Sequence, residues 1–275
     1  MDEGEYHALS PEEFWRRYDA LESRLTAGVS ERMLDLADVG PGKRVLDLAS
    51  GPGEPALRAA ARVGPQGHVL AVEPARAVLQ MAQEKAQAQG LTNVEFCAAN
   101  AESGEGVPGA HFHAVTIRWG LMYMTSPLAA LATARRALLP SGVLVAALWA
   151  EPERVPYFTL PRAVLRKYRA IPPLDAEAPG TFRYADLQTI ARDFTASGFA
   201  LDVVEEMDVT VFEASDSADV LAWLLDVGLG PLLNGLSQSD RQAWGRDCTA
   251  ELERLRNGGL IRLGGVTRIV RARLD

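Results

Sequence analysis

Between residues 43 and 150, short apolar runs alternate with longer segments in which apolar residues recur every three or four positions. A short apolar run bounded by turn formers reads as a buried strand, and the three-to-four spacing as a helix with one apolar face. The pattern predicts strands at 44–49, 68–73, 94–98, 112–118 and 143–149. Between them lie helical stripes at Leu57, Ala60, Ala61, then Val78, Leu79, Ala82, Ala86, then Leu128, Leu131, Arg135, Leu138. Strands alternating with helices build βαβ units and a parallel sheet, so the fold class is α/β.

Before this region, Ser10-Pro11-Glu12-Glu13 has the form of a helix start with a capping box. Phe14, Tyr18, Leu21 and Leu25 then share one face, with Trp15 at its edge, and a second short helix is expected over 30–38. After it the alternation stops. Six prolines, at 152, 156, 161, 172, 173 and 179, are interleaved with Tyr157, Phe158 and Tyr168. Ordinary connections run ~2 to 6 residues, so this stretch reads as a lid or cap. A helix over 184–197, a strand over 201–212, a helical insert over 215–256 carrying Trp223 and Trp244, and a strand over 260–272 complete the chain. The organisation expected is an amino-terminal helical lid (1–40) and one domain (41–275) with cap insertions at about 151–183 and 215–256.

The 275 residues carry 28 Lys+Arg against 36 Asp+Glu, a net charge of −8. Proteins that grip nucleic acid present a basic face, so this balance argues against such a partner. Two cysteines, Cys97 and Cys248, make no disulfide framework, and no Cys/His cluster has metal-ligand spacing. The acidic start Met1-Asp2-Glu3-Gly4-Glu5 is unlike a signal peptide, and the best apolar run, 143–150, is far short of the ~20 residues a membrane span needs. A cytoplasmic protein without a membrane span is expected, with a small molecule as partner and an oligomeric state that the sequence leaves open.

The first strand runs into Ala49-Ser50-Gly51-Pro52-Gly53-Glu54-Pro55-Ala56, a glycine turn leading to a helix. Glycine is needed where backbone turns sharply or a ligand approaches the main chain. Twenty residues beyond Gly53, Glu73, followed by Pro74, closes the second strand, where a carboxylate can accept both hydroxyls of a ribose. Gly51-x-Gly53-x-x-Ala56 also satisfies the dinucleotide fingerprint, which keeps a nicotinamide or flavin cofactor open. Three features favour a different adenosine-bearing cofactor. Asp47 puts a carboxylate near the loop, suiting an ammonium better than a pyrophosphate; Asn100-Ala101-Glu102 follows the third strand and can read an adenine edge; and the sheet begins some 40 residues into the chain.

On these motifs the chain resembles the class I S-adenosylmethionine-dependent methyltransferases, in particular the small-molecule branch similar to the ubiquinone/menaquinone methyltransferases. Their D-x-G-x-G-x-G stands here as Asp47-x-Ala49-x-Gly51-x-Gly53, with Ala49 for the first glycine, a change that tightens the space under the methionine part of the cofactor. Ala137-Leu138-Leu139-Pro140-Ser141-Gly142-Val143 resembles their turn before the fifth strand. The likeness covers about residues 40–150 in order and spacing. It implies a Rossmann-like seven-stranded sheet in the order 3-2-1-4-5-7-6, the last strand antiparallel, and S-adenosylmethionine as cofactor. It also implies that Glu73 holds the ribose, that Asn100 and Ala101 hold the adenine, and that Arg118 and Trp119 sit beside the methionine moiety. Tyr18 would close on the cofactor's carboxylate, and the inserts would build the acceptor pocket.

Acceptor contacts are expected from Trp15, Met122, Tyr123, Tyr157, Phe158, Tyr168 and Trp223, with packing as the competing explanation for each. For a catalytic base the choice is thin. His68 sits in a turn after Gly67, and His111 and His113 start the fourth strand, away from the carboxyl ends where ligands bind in open α/β sheets. His7, ahead of the first helix, is the remaining candidate. The activity expected is methyl transfer to an apolar small molecule, O-methylation in natural-product biosynthesis first. Alternatives are C-methylation of a quinone or similar activated carbon, a dinucleotide-dependent oxidoreductase, and a cofactor-binding sensor.

Overall fold

The computed structural model describes residues 6, 7 and 9–275. The acidic start at residues 1–5 lies outside them. Two compact units are present. The larger comprises Ala27–Ala150, Asp175–Met207 and Thr267–Asp275; the smaller comprises Glu151–Leu174, Asp208–Val266 and the described residues up to Thr26.

Strands β1 (Arg44–Leu48), β2 (His68–Val72), β3 (Val94–Cys97), β4 (Phe112–Arg118) and β5 (Leu138–Trp149) form the parallel part of the sheet. β6 (Phe199–Ala214) and β8 (Leu260–Leu274) extend it in the order β3-β2-β1-β4-β5-β8-β6. β8 runs antiparallel to β5, pairing Trp149 with Thr267 and Val143 with Arg273. A two-residue strand, β7 (Arg256–Asn257), forms a hairpin with the start of β8. Counting past it, the order is the 3-2-1-4-5-7-6 that the resemblance implies. Val45, Leu46, Leu48, Val69, Ala71, Val72, Val115 and Ile117 are all buried, as a sheet covered on both faces requires; their runs are therefore continuous rather than alternating.

Helices α1 (Pro11–Leu25), α2 (Ala27–Leu36), α3 (Ala56–Val63), α4 (Arg76–Ala88) and α5 (Pro127–Ala137) precede the fifth strand; α6 (Pro156–Leu165), α7 (Leu187–Ala196), α8 (Ser217–Leu224) and α9 (Gln238–Glu253) follow it. The α1 capping box forms as the sequence predicts: the Glu13 amide donates to Ser10 Oγ at 3.2 Å and the Ser10 amide to Glu13 Oε2 at 2.9 Å. Several expectations are corrected. α2 begins at Ala27 and ends at Leu36, so Ser30 is buried inside it rather than starting it. α7 begins at Leu187 because Asp186 caps it, accepting from the Gln188 and Thr189 amides, while Tyr184 is buried ahead of it. In α5 the buried stripe is Ala130, Leu131, Ala134 and Ala137; Leu128 is 46% exposed and Arg135 faces water. In α3, Ala61 is exposed and Ala56, Ala59 and Val63 join the buried face. Alanine-rich helices carry little contrast between faces, and so their buried side is poorly marked.

Within the smaller unit an aromatic series links Phe14, Tyr18, Phe212, Trp223 and Tyr157, with Phe212 stacked on Trp223 at 4.8 Å. Trp244 is wholly buried and donates to the Pro161 carbonyl at 3.3 Å.

Candidate functional site

Register sets the site. Leu48 lies opposite Val72, Val72 opposite Cys97, and Asp47 opposite Thr116, so the segments leaving β1, β2, β3 and β4 emerge along one edge of the larger unit's sheet. β1 has β2 on one side and β4 on the other, and the connections depart in opposite directions. This is the switch point at which open α/β sheets take their ligands.

The loop after β1 is left-handed at Ala49 (φ 57°), Gly51 (φ 53°) and Gly53 (φ 108°). At Gly51 a β-carbon would meet nothing within 4 Å, so the backbone there faces open space; at Gly53 it would lie 2.8 Å from Leu57 Cδ1, so that glycine is needed for packing onto α3. Ser50 is buried and its hydroxyl has no hydrogen-bond partner among the described residues. A buried hydroxyl without a partner costs stability unless a ligand satisfies it.

Two carboxylates hold this loop. Asp47 is wholly buried; its Oδ2 accepts the Ala56 amide at the start of α3 (3.1 Å) and its Oδ1 the Thr116 hydroxyl (2.7 Å). Burial pushes its pKa up to about 7, against the pull of Thr116, Arg118 and the Ala56 amide. Glu73 accepts the Gly51 amide at 3.1 Å and the Ala75 amide at 3.0 Å, and burial raises its pKa while those amides lower it. Both carboxylates thus have structural partners and are fasteners of the glycine loop. Each carboxylate oxygen has two lone pairs, so Glu73 retains acceptor capacity for further hydroxyls.

The rest of the edge is mixed. Pro74 is exposed. Asn100 is exposed, and its Oδ1 accepts the Glu102 amide at 2.9 Å, a turn that leaves Ala101 buried. Glu102 accepts the Thr125 and Ser126 amides (2.9 and 3.2 Å) just ahead of α5 and so anchors the start of that helix. After β4, Arg118 lies over the Trp119 ring at 4.9 Å, and Trp119 itself is left-handed at φ 52°. Met122 is completely buried, which corrects its assignment to a pocket wall; Tyr123 is 53% exposed, its hydroxyl 3.1 Å from Thr181 Oγ1.

The remaining predicted residues belong to the smaller unit. Tyr18 donates to Asp226 Oδ2 at 2.5 Å, and Arg17 meets the same oxygen at 2.9 Å. Burial, and then Asp226, drive the Tyr18 pKa well above the usual tyrosine range, so it stays a donor. Trp15 is half-buried and packs edge-on against Phe14. Tyr157 and Trp223 are buried against each other, Phe158 lies under the Arg162 guanidinium at 3.4 Å, and Tyr168 donates to Asp247 at 3.0 Å. His7 is exposed ahead of α1.

The other histidines behave structurally. His68 begins β2, a correction to its placement in a turn, with Nε2 3.8 Å from Glu95. His113 Nδ1 accepts the Arg44 amide at 3.0 Å. Sequence reasoning missed Thr116, Thr267, Asp226 and Asn234. A lone threonine within the apolar run 114–117 is a usable signal for the first; nothing in the sequence marks the others.

The loop therefore has the form of a cradle for an adenosine-bearing ligand, with open space over a glycine, an unsatisfied buried hydroxyl and a carboxylate at its rim. Comparisons agree. Residues 40–165 match the family model described as a methyltransferase domain. The ubiquinone/menaquinone biosynthesis C-methyltransferase UbiE of Shewanella frigidimarina is 29% identical over 208 residues, 70% of this chain and 80% of that protein. UbiE of Serratia proteamaculans is 32% identical over 145 residues, 51% of this chain and 57% of that protein, so the chain spans little more than half the length of that relative. A putative methyltransferase from Bacillus halodurans superposes with a TM-score of 0.58 at 18% identity, covering 89% of this chain and 97% of that one, a likeness of fold. These likenesses support the resemblance to the class I S-adenosylmethionine-dependent methyltransferases, enzymes whose cofactor is S-adenosylmethionine. Within that class it is similar to the UbiE proteins.

No helix of the described residues is long and apolar enough to cross a membrane, and no group of three or more His, Cys, Asp or Glu side chains among them is arranged to hold a metal ion.

Proposed function

We propose that the chain methylates a ring carbon of an apolar, enolisable small molecule such as a hydroquinone, in the cytoplasm. The observation that carries the cofactor half of this reading is the left-handed loop with open space at Gly51 and an unsatisfied hydroxyl on the neighbouring Ser50. In the same reading Glu73 takes the ribose hydroxyls, Asn100 and Ala101 flank the adenine, and Arg118 and Trp119 border the methionine end. Asp47 acts from beneath, by fixing the loop to α3 and β4. When bound, S-adenosylmethionine supplies a methyl group on a positively charged sulfur. The protein's contribution is then alignment and the exclusion of water more than strong base catalysis.

What supports carbon as the acceptor atom is the activity named for the UbiE relatives. The quinones in those relatives' names support an apolar acceptor. An oxygen acceptor, as in natural-product O-methylation, is the second reading. In that reading His7, exposed ahead of α1, is the candidate base.

The test is transfer of a labelled methyl to a panel of hydroquinones, quinones and phenols, with the product resolved by NMR. Label on a ring carbon is the expected result. Label on oxygen would transfer the assignment to the second reading, and loss of its turnover in His7→Gln would identify the base. Binding of S-adenosylhomocysteine without turnover on any acceptor would favour a sensor.

A further inference from the structure

Trp119 follows β4 in the left-handed region, φ 52°, where a bulky residue is strained and stays only if its surroundings hold it there. The fixtures are visible. Its amide donates to the Ala147 carbonyl at 2.9 Å. Its indole lies flat on Trp149, ring centres 5.0 Å apart and planes within 4°. Its Nε1 donates to Thr267 Oγ1 at 2.9 Å. Thr267 is wholly buried on β8, directly opposite Trp149, and its own hydroxyl proton goes to the Leu148 carbonyl at 2.9 Å, which leaves the oxygen as an acceptor for the indole.

We propose that Thr267 is a positioning residue for the cofactor site. By receiving the Trp119 indole it locks the left-handed turn after β4, and so fixes Arg118, stacked on that indole, and Gly120, where an added β-carbon would run into Ala49 of the glycine loop. The inference rests on the cofactor reading above and adds to it a residue from the last strand, far in sequence from every motif. Thr267→Val keeps the shape but removes the acceptor, leaving the half-buried indole without this partner for its N–H. Thr267→Ser keeps the hydroxyl.

The experiment pairs two readouts: the dissociation constant for S-adenosylhomocysteine by calorimetry, and the near-ultraviolet circular dichroism of the stacked Trp119–Trp149 pair, whose coupled transitions report ring geometry without any ligand. Thr267→Val should raise the dissociation constant at least tenfold and alter the indole signal, with the maximal rate at saturating cofactor changed less than KM. Thr267→Ser should stay within twofold on binding and keep the signal. Trp119→Phe, which retains a ring but lacks the N–H, should reproduce the loss of affinity, and it stands in if Thr267→Val does not fold.

A Thr267→Val protein that folds and binds within twofold of the parent overturns the proposal while leaving the cofactor reading intact; so does a Thr267→Ser loss equal to that of Thr267→Val. A parent protein that does not bind S-adenosylhomocysteine overturns both.

Discussion

Ala49 and Gly120, at the ends of neighbouring strands β1 and β4, meet so closely that a β-carbon on Gly120 would lie 2.6 Å from Ala49 Cβ. The site where the resembling enzymes carry glycine holds alanine here, in the left-handed region at φ 57°, and the glycine at 120 accommodates its methyl group. Gly120→Ala should therefore cost about 1 to 3 kcal/mol by overpacking. Ala49→Gly in the same chain should recover most of that loss, because it removes the opposing methyl. Alone, Ala49→Gly should stabilise by at most about 1 kcal/mol, since relief of the left-handed penalty is offset by the added chain entropy of glycine. A denaturant-melt cycle over the four proteins measures the coupling; additive effects would show that the contact carries no energy.

Gly51 is a different case, because nothing lies within 4 Å of its missing β-carbon. Gly51→Val adds left-handed strain of roughly 1 to 2 kcal/mol, and it fills the open side of the cradle. The expected outcome is a folded protein by circular dichroism that no longer binds S-adenosylhomocysteine. Retained affinity would place the cofactor elsewhere.

Glu73→Ala should weaken cofactor binding by roughly 1 to 3 kcal/mol, the cost of leaving hydroxyls and the Gly51 amide without their acceptor. Because the carboxylate fastens the loop as well, the melting temperature should fall with the affinity. Calorimetry and thermal melts on one preparation separate the two, and an unchanged dissociation constant would detach Glu73 from the ribose.

Asp47 imposes a pH dependence. Its native pKa is raised to about 7 from an ordinary carboxylate value of 3.8. Between those values the folded chain holds a proton that the unfolded chain has released, so the contribution to stability is complete below about 4 and is lost as pH rises through about 7. Asp47→Asn removes that titration. The stability difference between parent and variant, from denaturant melts at pH 5.5 and 8, should shift in the variant's favour at the higher pH. A pH-independent difference would mean that Asp47 does not titrate in this window.

Asn234 closes the set. Its side-chain amide accepts the Tyr6 amide and donates to the Tyr6 carbonyl, both at 2.9 Å, matching the segment that carries His7 as a neighbouring strand would. Asn234→Ala should speed hydrogen exchange and proteolytic cleavage at the residues around Tyr6 without lowering the main melting transition by more than about 1 kcal/mol. Unchanged exchange there would mean that other contacts hold the segment.

The five parallel strands were legible because apolar runs buried on both faces are the strongest pattern that a sequence carries, and the switch-point loop followed from Gly51, Gly53 and Glu73 at their spacing. Helix faces in α3 and α5 were not, because alanine is tolerated on either side. Nor could spacing tell that Glu102 anchors α5, that Met122 is core, or that Tyr18 is engaged by Asp226.

What the sequence by itself determined is the class of fold and the crevice, since both follow from local periodicity and from residues within one strand–turn–helix unit. What only the tertiary structure decided is how the crevice is held: Asp47 on Thr116, Glu73 on Gly51, Trp119 on Thr267. Those pairs join residues 22 to 148 positions apart. Side-chain polar contacts of that range depend on strand order and register, which no local pattern of apolar and polar positions encodes.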